Sequence, residues 1–140
     1  MRAPIELVSA FRAQGLKVTP QRQLLFRLLH ENRSHPTAEA LYTVASEIMP
    51  GISLRTIYQT LNDLAAMGEL QVVSVGSGST RFDPNIDHHH HAHCSGCGTV
   101  TDIYVSDLAS LSVRGLDGFT ANAAHIVFSG ICQSCSATVD

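Results

Sequence analysis

The sequence predicts an α+β protein whose first half is helical and whose second half is rich in strands. Apolar residues recur at helical spacing over residues 1–68 and then in short β-branched runs, two of which flank a glycine-rich turn. With 140 residues, 44% of them hydrophobic, the chain can bury a core, so it does not belong to the disordered class. Its length fits one ordinary domain or two very small ones.

Four helices are predicted in the first half. Thr19, Thr37 and Ser53 are the expected N-caps, because a side-chain oxygen there can accept from a free backbone N–H of the first turn. Glycine closes the first and last helices, and a Pro-Gly pair closes the third. The segments are RAPIELVSAFRAQG (2–15), TPQRQLLFRLLHEN (19–32), TAEALYTVASEIMPG (37–51) and SLRTIYQTLNDLAAMG (53–68).

A hairpin follows the helices. Residues 69–83 form two β-branched runs about the turn at 76–78. Helices followed by a two-stranded hairpin are typical of a winged-helix DNA-binding domain, here residues 1–83. The helix at 53–68 would read the DNA, and residues 76–78 would form the tip of the wing.

The second half is predicted to be a small α/β unit. Strands are expected within 98–105 and 125–132, and a helix within 106–116. A hinge is predicted at 84–87, so residues 88–140 would form the second domain. A unit of about 50 residues is too short for a self-sufficient core and usually needs a metal, disulfides or a partner chain.

The charge distribution assigns any nucleic-acid contact to the first half. Residues 1–80 carry seven Lys and Arg against six acids, whereas residues 81–140 carry two against six. No apolar run approaches the length of a membrane span, and no cleavable signal is recognisable. We therefore expect a cytoplasmic protein, whose thiols stay reduced.

The four cysteines form two CxxC pairs, Cys94 with Cys97 and Cys132 with Cys135. A two-residue gap lets both thiolates of a pair bind one ion, so the two pairs predict a closed, structural Zn²⁺ site. Each pair could instead be a redox pair or a set of buried apolar residues. The strand-to-helix context of a redox CxxC is missing from the sequence pattern.

Five histidines stand just before Cys94, in the run DHHHHAHCSGCG at 87–98. In an extended segment His89, His91 and His93 would point to one side and His88 and His90 to the other. Asp83 and Asp102 could complete the first face as a His/Asp site, which suits Fe²⁺ or Mn²⁺ better than thiolates do. The alternative is a solvated loop that captures stray metal.

The other face could form a third site from His88, His90, Asp107 and His125. His125 could equally be a partly buried strand histidine. His35, just before Pro36, is ambiguous by itself.

Several segments resemble the ferric uptake regulator family, and within it the peroxide-sensing branch. They are HPTAEALY, ISLRTIYQTLNDLAAMGEL, RFD, HHHHAHCSGCG and GICQSC. The resemblance implies a homodimeric winged-helix repressor of double-stranded DNA, with a C-terminal dimerisation domain, structural zinc and a regulatory Fe²⁺ or Mn²⁺. The resemblance further implies a regulator that is not an enzyme, so no catalytic residues are assigned.

The resemblance also implies the site residues. The regulatory metal would be held by the set His35, Asp83, His89, His91 and Asp102. Aspartate at position 83 favours peroxide sensing, in which bound iron leads to oxidation of His35 or His89 and the repressor leaves its palindromic operator. Contacts to DNA would come from the set Lys17, Arg22, Arg55, Thr56, Tyr58 and Gln59.

Three other functions compete with this one. The protein could be a regulator of the same family that reports only iron, manganese or nickel supply. A zinc hydrolase or deaminase needs an open zinc position and a nearby general base, which this sequence does not suggest. A metallochaperone would not bind an operator.

Overall fold

The computed structural model describes residues 1–76 and 78–137, and the chain divides into two compact units. The first unit is Met1–Ile86, and the second begins at Asp87. The boundary falls inside the segment 84–87 that the sequence suggests as a hinge.

Four helices and a hairpin make up the first unit. The elements are α1 (Pro4–Ala13), α2 (Pro20–Leu29), α3 (Ala38–Ile48), α4 (Leu54–Ala66), β1 (Gln71–Val73) and β2 (Arg81–Asp83). The hydroxyls of Thr19, Thr37 and Ser53 accept from backbone N–H groups of the first turns of α2, α3 and α4, so the three predicted N-caps are confirmed. No helix in the described part of the chain has the length and apolar character that crossing a bilayer requires.

The helices pack around one apolar core. Its fully buried side chains come from all four helices, which is why each helix shows an apolar stripe in the sequence. The rings of Phe11 and Phe26 meet edge to face at 4.8 Å. The opposite face of α4 leaves Arg55, Gln59 and Asn62 exposed.

The hairpin also fixes the chain before α3. Strands β1 and β2 pair antiparallel, with Gln71 opposite Asp83. On the other side of β2, Thr37 bridges to Arg81, and the Phe82 N–H donates to the Pro36 carbonyl at 2.9 Å. Residues 35–37 therefore run along β2. Ser77, at the predicted wing tip, lies outside the described residues.

A three-stranded sheet forms the second unit. The central strand β3 (His90–Cys94) pairs antiparallel with β4 (Val100–Ile103) and parallel with β5 (Val127–Gly130). A short helix, α5 (Gln133–Ser136), follows β5.

The helix predicted at 106–116 was wrong: only a single 3-10 turn forms there, at Leu108–Ser110. Leu111, Val113 and Leu116 are 46%, 61% and 42% exposed. A short helix depends on packing its apolar face, and this segment has no such face to pack against within the described unit.

Candidate metal centres

The two CxxC pairs come together at one end of the second sheet. Cys94 ends β3, and Cys97 lies in the turn after it. Cys132 is the N-cap of α5, and Cys135 lies within that helix. The four Sγ atoms lie within 4.8 Å of one another, and all four cysteines are free thiols. The predicted four-cysteine cluster is therefore present, without a disulfide.

The proximity of these four sulfurs favours a bound cation, because the thiolates would otherwise repel one another. The backbone N–H of Cys132 donates to the Cys94 sulfur at 3.3 Å and, with that of Cys97, lowers the pKa of Cys94 to about 6. The surrounding sulfurs of Cys132, Cys94 and Cys97 raise the pKa of Cys135 to about 12. Four thiolates therefore cannot coexist at neutral pH without a metal. A closed shell of four soft sulfurs fits structural Zn²⁺.

Two glycines shape the turn between β3 and β4, which carries Cys97. A Cβ on Gly96 would lie 3.0 Å from the Cys135 sulfur and 3.2 Å from its Cβ. Gly98 has a φ of 77°, which L side chains rarely adopt. Gly98 thus permits the tight turn, and Gly96 makes room for the second cysteine pair.

The second candidate centre in this unit is formed by His89, His91 and Asp102. His91 lies directly opposite Asp102 across β3 and β4, so their side chains share one face of the sheet. Nε2 of His89 and Nε2 of His91 lie 3.1 and 3.6 Å from Oδ1 of Asp102, and 3.1 Å from each other. Both imidazoles are buried, with 3% and 0% exposure.

The tautomer of His89 suits a metal ligand. Its Nδ1 lies 2.6 Å from the Asp87 carbonyl oxygen, which can only accept, so Nδ1 carries the proton. The lone pair of Nε2 then faces His91 and Asp102. Two imidazole lone pairs and a carboxylate oxygen converging in a buried place fit a cation with harder ligand preference, Fe²⁺ or Mn²⁺. His93, on the same strand, does not join this group.

The first unit contains an imidazole–carboxylate pair of its own. Nε2 of His35 lies 3.1 Å from Oδ2 of Asp83, and each residue is only 2% exposed. The other oxygen of Asp83 accepts from the Asn85 N–H at 2.9 Å. His35 has a φ of 51°, a strained value for a residue other than glycine. The Arg81 guanidinium donates to its carbonyl at 3.2 Å and helps to hold it.

Among the residues described, the suggested third site does not form a group of converging ligand atoms, although the rings of His90 and His125 stack at 6.0 Å. Asp107 caps the 3-10 turn by accepting from the Ser110 N–H at 3.2 Å. His125 lies 2.8 Å from Nδ1 of His91, and His90 accepts from the Ile126 N–H at 2.9 Å. The rings of His88 and His90 meet edge to face at 5.3 Å.

Burial lowers the pKa of His90, and the nearby imidazoles of His88 and His125 lower it further. Desolvation likewise lowers the pKa of His125, with His91 as the next contributor. Both imidazoles are therefore neutral near pH 7.

The residues predicted to contact DNA differ in exposure and in the hydrogen bonds they make. Lys17, Arg55 and Gln59 are exposed, and Thr56 bonds to the N-cap hydroxyl of Ser53 at 2.9 Å. The Tyr58 hydroxyl donates to Glu39 of α3 at 2.5 Å. This bond raises the pKa of Tyr58 and lowers that of Glu39.

Arg22 has a structural role that the sequence did not indicate. Its guanidinium pairs with Asp63 of α4 at 2.8 Å, donates to the Lys17 carbonyl and lies 5.3 Å from the centre of the Phe11 ring. Only 16% of the side chain is exposed. Its contact with phosphate stays a prediction.

Comparison with known proteins identifies the family. The ferric uptake regulator family model matches residues 13–129. The peroxide-responsive repressor PerR of Staphylococcus epidermidis is 32% identical over 132 residues, which cover 93% of this chain and 88% of that protein. The corresponding repressor of Staphylococcus aureus is 31% identical over the same length, covering 93% of this chain and 89% of its own.

Solved structures agree with this assignment. The Helicobacter pylori ferric uptake regulator Fur has a TM-score of 0.79 at 18% identity and covers 97% of this chain and 93% of its own. The Campylobacter jejuni peroxide stress regulator has a TM-score of 0.66 at 25% identity and covers 96% and 100%. A zinc-bound manganese uptake regulator has a TM-score of 0.72 at 24% identity and covers 94% and 99%. The α+β winged-helix fold is confirmed, and the chain belongs to the ferric uptake regulator family.

Proposed function

We propose that this metal-responsive repressor senses peroxide through oxidation of the histidines that hold its regulatory metal. The observation that carries the proposal is the convergence of two buried imidazole lone pairs on the carboxylate of Asp102, at 3.1 and 3.6 Å. The similarity to peroxide-responsive repressors supports the same function.

The regulatory site, in this proposal, combines donors from both units. His89, His91 and Asp102 offer three donors and His35 and Asp83 two more, whereas Fe²⁺ and Mn²⁺ commonly take about six ligands. Asp83 and His89 are six residues apart, so the chain cannot separate them by more than about 20 Å. The strained, buried His35 is held in place by β2, which indicates a position fixed for a purpose beyond packing.

The residues of this chain determine what happens on exposure to peroxide. Iron(II), when bound, would give one electron to hydrogen peroxide, which splits into hydroxide and a hydroxyl radical. The radical would add to a ring carbon of His35 or His89, and loss of a proton and of one further electron to the oxidised iron would leave one added oxygen on the ring. His35 and His89 hold their imidazoles at the site, and an oxidised ring is a poorer donor. Loss of either ligand removes a connection between the DNA-binding unit and the second unit, so repression ends. Manganese(II) does not support this chemistry, and the manganese form stays bound to the operator.

The DNA-binding role rests on the first unit. Helix α4 presents Arg55 and Gln59 to solvent, where they can reach base edges in the major groove. Tyr58 is 39% exposed beside them and offers a ring face to thymine methyls. Lys17 is placed for a phosphate contact.

The homodimer would form through the second unit, where Tyr104, Phe119 and Phe128 are 62%, 67% and 50% exposed. Two copies related by a two-fold axis would read a palindromic operator.

The test measures operator binding by protein loaded with Fe²⁺ or Mn²⁺, before and after mild peroxide. We expect only the iron form to lose binding, with added oxygen on peptides that contain His35 or His89. Survival of both forms without added oxygen would contradict peroxide sensing. It would instead favour a regulator of metal supply, the alternative suggested by the similarity to a manganese uptake regulator.

A further inference from the structure

We propose that His125 is a positioning residue for His91, fixing which nitrogen of His91 binds the regulatory metal, and that it is not a ligand of a third metal. The proposal rests on the regulatory site described under Proposed function. It concerns two imidazoles of the second unit that lie in direct contact, with 2.8 Å between Nδ1 of His91 and Nε2 of His125.

The direction of this hydrogen bond follows from the other side of the His91 ring. Nε2 of His91 faces His89 and Asp102, so it must keep its lone pair to bind a metal. A neutral imidazole has one donor and one acceptor nitrogen, so Nδ1 of His91 carries the proton. That proton is donated to Nε2 of His125, which lies 2.8 Å away. The lone pair of this nitrogen is then in use and cannot bind a metal.

His90, another candidate ligand of the third site, also has no nitrogen lone pair available for a metal. The Ile126 N–H donates to Nδ1 of His90 at 2.9 Å. Neutral His90 therefore carries its proton on Nε2, a buried atom that has no hydrogen-bond partner among the residues described. With one nitrogen accepting and the other protonated, His90 has no lone pair left for a metal. Asp107 is engaged in capping its own turn.

The fold explains why His125 lies where it does. Both backbone groups of Ile126 are tied to the β3 segment: its carbonyl accepts from the His91 N–H at 3.2 Å, and its N–H donates to the His90 ring. The parallel pairing of β3 and β5 places His91 opposite Val127. The residue before Ile126 is thereby set beside the ring of His91, with ring centroids 5.0 Å apart at an angle of 71°.

The two ligand histidines of this unit thus have different supports. The Nδ1–H of His89 donates to a backbone carbonyl, that of Asp87. The Nδ1–H of His91 donates to a side chain, which mutation can remove. An acceptor at this position fixes the tautomer and raises the basicity of the ligand, and its loss typically weakens metal binding by about 10–100-fold.

The experiment compares H125L, which has no acceptor, with H125Q, whose side-chain carbonyl can accept from His91. The Mn²⁺ affinity of zinc-loaded dimers is measured by competition with a chelator. We expect H125L to bind Mn²⁺ about 10–100-fold more weakly and H125Q to recover most of the affinity. One Mn²⁺ per chain and full zinc content should remain in both variants. His30, at the end of α2, provides the control, since H30A should leave affinity and stoichiometry unchanged.

A second readout does not need the regulatory metal. Long-range ¹H–¹⁵N NMR of the zinc-loaded protein without manganese reports the tautomer of His91. We expect the Nδ1–H form in the unaltered protein and in H125Q, and a loss of that preference in H125L. An Nε2–H tautomer for His91 in the unaltered protein would overturn the proposal. So would loss of a second metal equivalent in both H125L and H88A with the first affinity unchanged.

The H91A variant separates this proposal from the proposed function. If H91A binds Mn²⁺ as tightly as the unaltered protein, the regulatory site itself is misassigned. If H91A loses Mn²⁺ while H125L keeps full affinity, the site stands and only the role of His125 is refuted.

Discussion

Strand β3 carries two kinds of metal donor three residues apart, and the residues that join each donor differ in burial. His91 is fully buried and lies with His89 against Asp102, whereas Cys94 leads into a turn where Cys97 is exposed. Burial alone would suggest that the histidine group holds its metal more permanently. The donors predict the reverse, because four thiolates form a closed shell for zinc and an imidazole–carboxylate set suits exchangeable Fe²⁺ or Mn²⁺.

The difference assigns each site a role. The zinc ties the turn after β3 to α5, so it contributes to the folding of a unit that is too small to rely on its core. We expect the regulatory metal to leave without unfolding either unit. Ligand chemistry therefore sets how firmly each metal is retained, and mutations at the two sites should differ in the same way.

The largest effect is expected from C132A. Removal of one thiolate should abolish zinc binding and unfold the second unit, because structural zinc contributes about 10–16 kcal/mol in small zinc domains. Metal analysis and circular dichroism measure the two effects. S134A, an exposed change between the two cysteines of that pair, is the matched control and should keep one zinc per chain. Full zinc content in C132A would contradict the assignment.

The next effect is expected from H35A. Loss of this imidazole should weaken Mn²⁺ binding by at least about 100-fold while zinc and the unfolding midpoint stay nearly unchanged. H30A, a histidine change at the end of α2, serves as the control and should bind Mn²⁺ normally. Normal Mn²⁺ affinity in H35A would show that His35 does not belong to the site.

Acid should affect the zinc site in two stages. At pH 7 the Cys135 thiol, whose pKa is about 12 before metal binds, must release its proton to zinc. The Cys94 thiol, with a pKa of about 6, is already ionised and begins to compete only below that pH. Zinc affinity should therefore fall as pH falls, and more steeply below about pH 6. Calorimetry in buffers of different ionisation enthalpy counts the released protons, and a pH-independent affinity would exclude this account.

The smallest effect is expected from G96A. The new Cβ would lie 3.0 Å from the Cys135 sulfur, so the turn must shift and the zinc-loaded protein should lose about 1–3 kcal/mol of unfolding free energy. G130A is the matched control, because its Cβ would meet nothing within 4 Å. Denaturant unfolding of the two variants gives the comparison, and equal stability would mean that the turn adapts freely.

Local signals made the first unit predictable. The caps at Thr19, Thr37 and Ser53 and the apolar stripes depend on residues within one helix, and the structure confirms them. The spacing of the two CxxC pairs likewise sufficed to predict the cluster of four cysteines. The failed helix at 106–116 shows the limit of such signals, since apolar residues at helical spacing form a helix only when something covers them.

Long-range pairing made the rest unpredictable. The contact of His125 with His91 depends on parallel pairing of β3 with a strand more than thirty residues later, and no spacing in the sequence encodes that register. The ion pair of Arg22 with Asp63 joins two helices in the same way. The alternation of the histidine run correctly placed His89 and His91 together but also included His93, which lies outside the group.

The central claim is that imidazoles from both units hold one regulatory metal. Pulsed electron paramagnetic resonance of the Mn²⁺- and zinc-loaded protein counts the histidine nitrogens on manganese. We predict three in the unaltered protein, from His35, His89 and His91, and two in H35A. Two nitrogens in both proteins would contradict the claim, because the first unit would then contribute no imidazole to the metal.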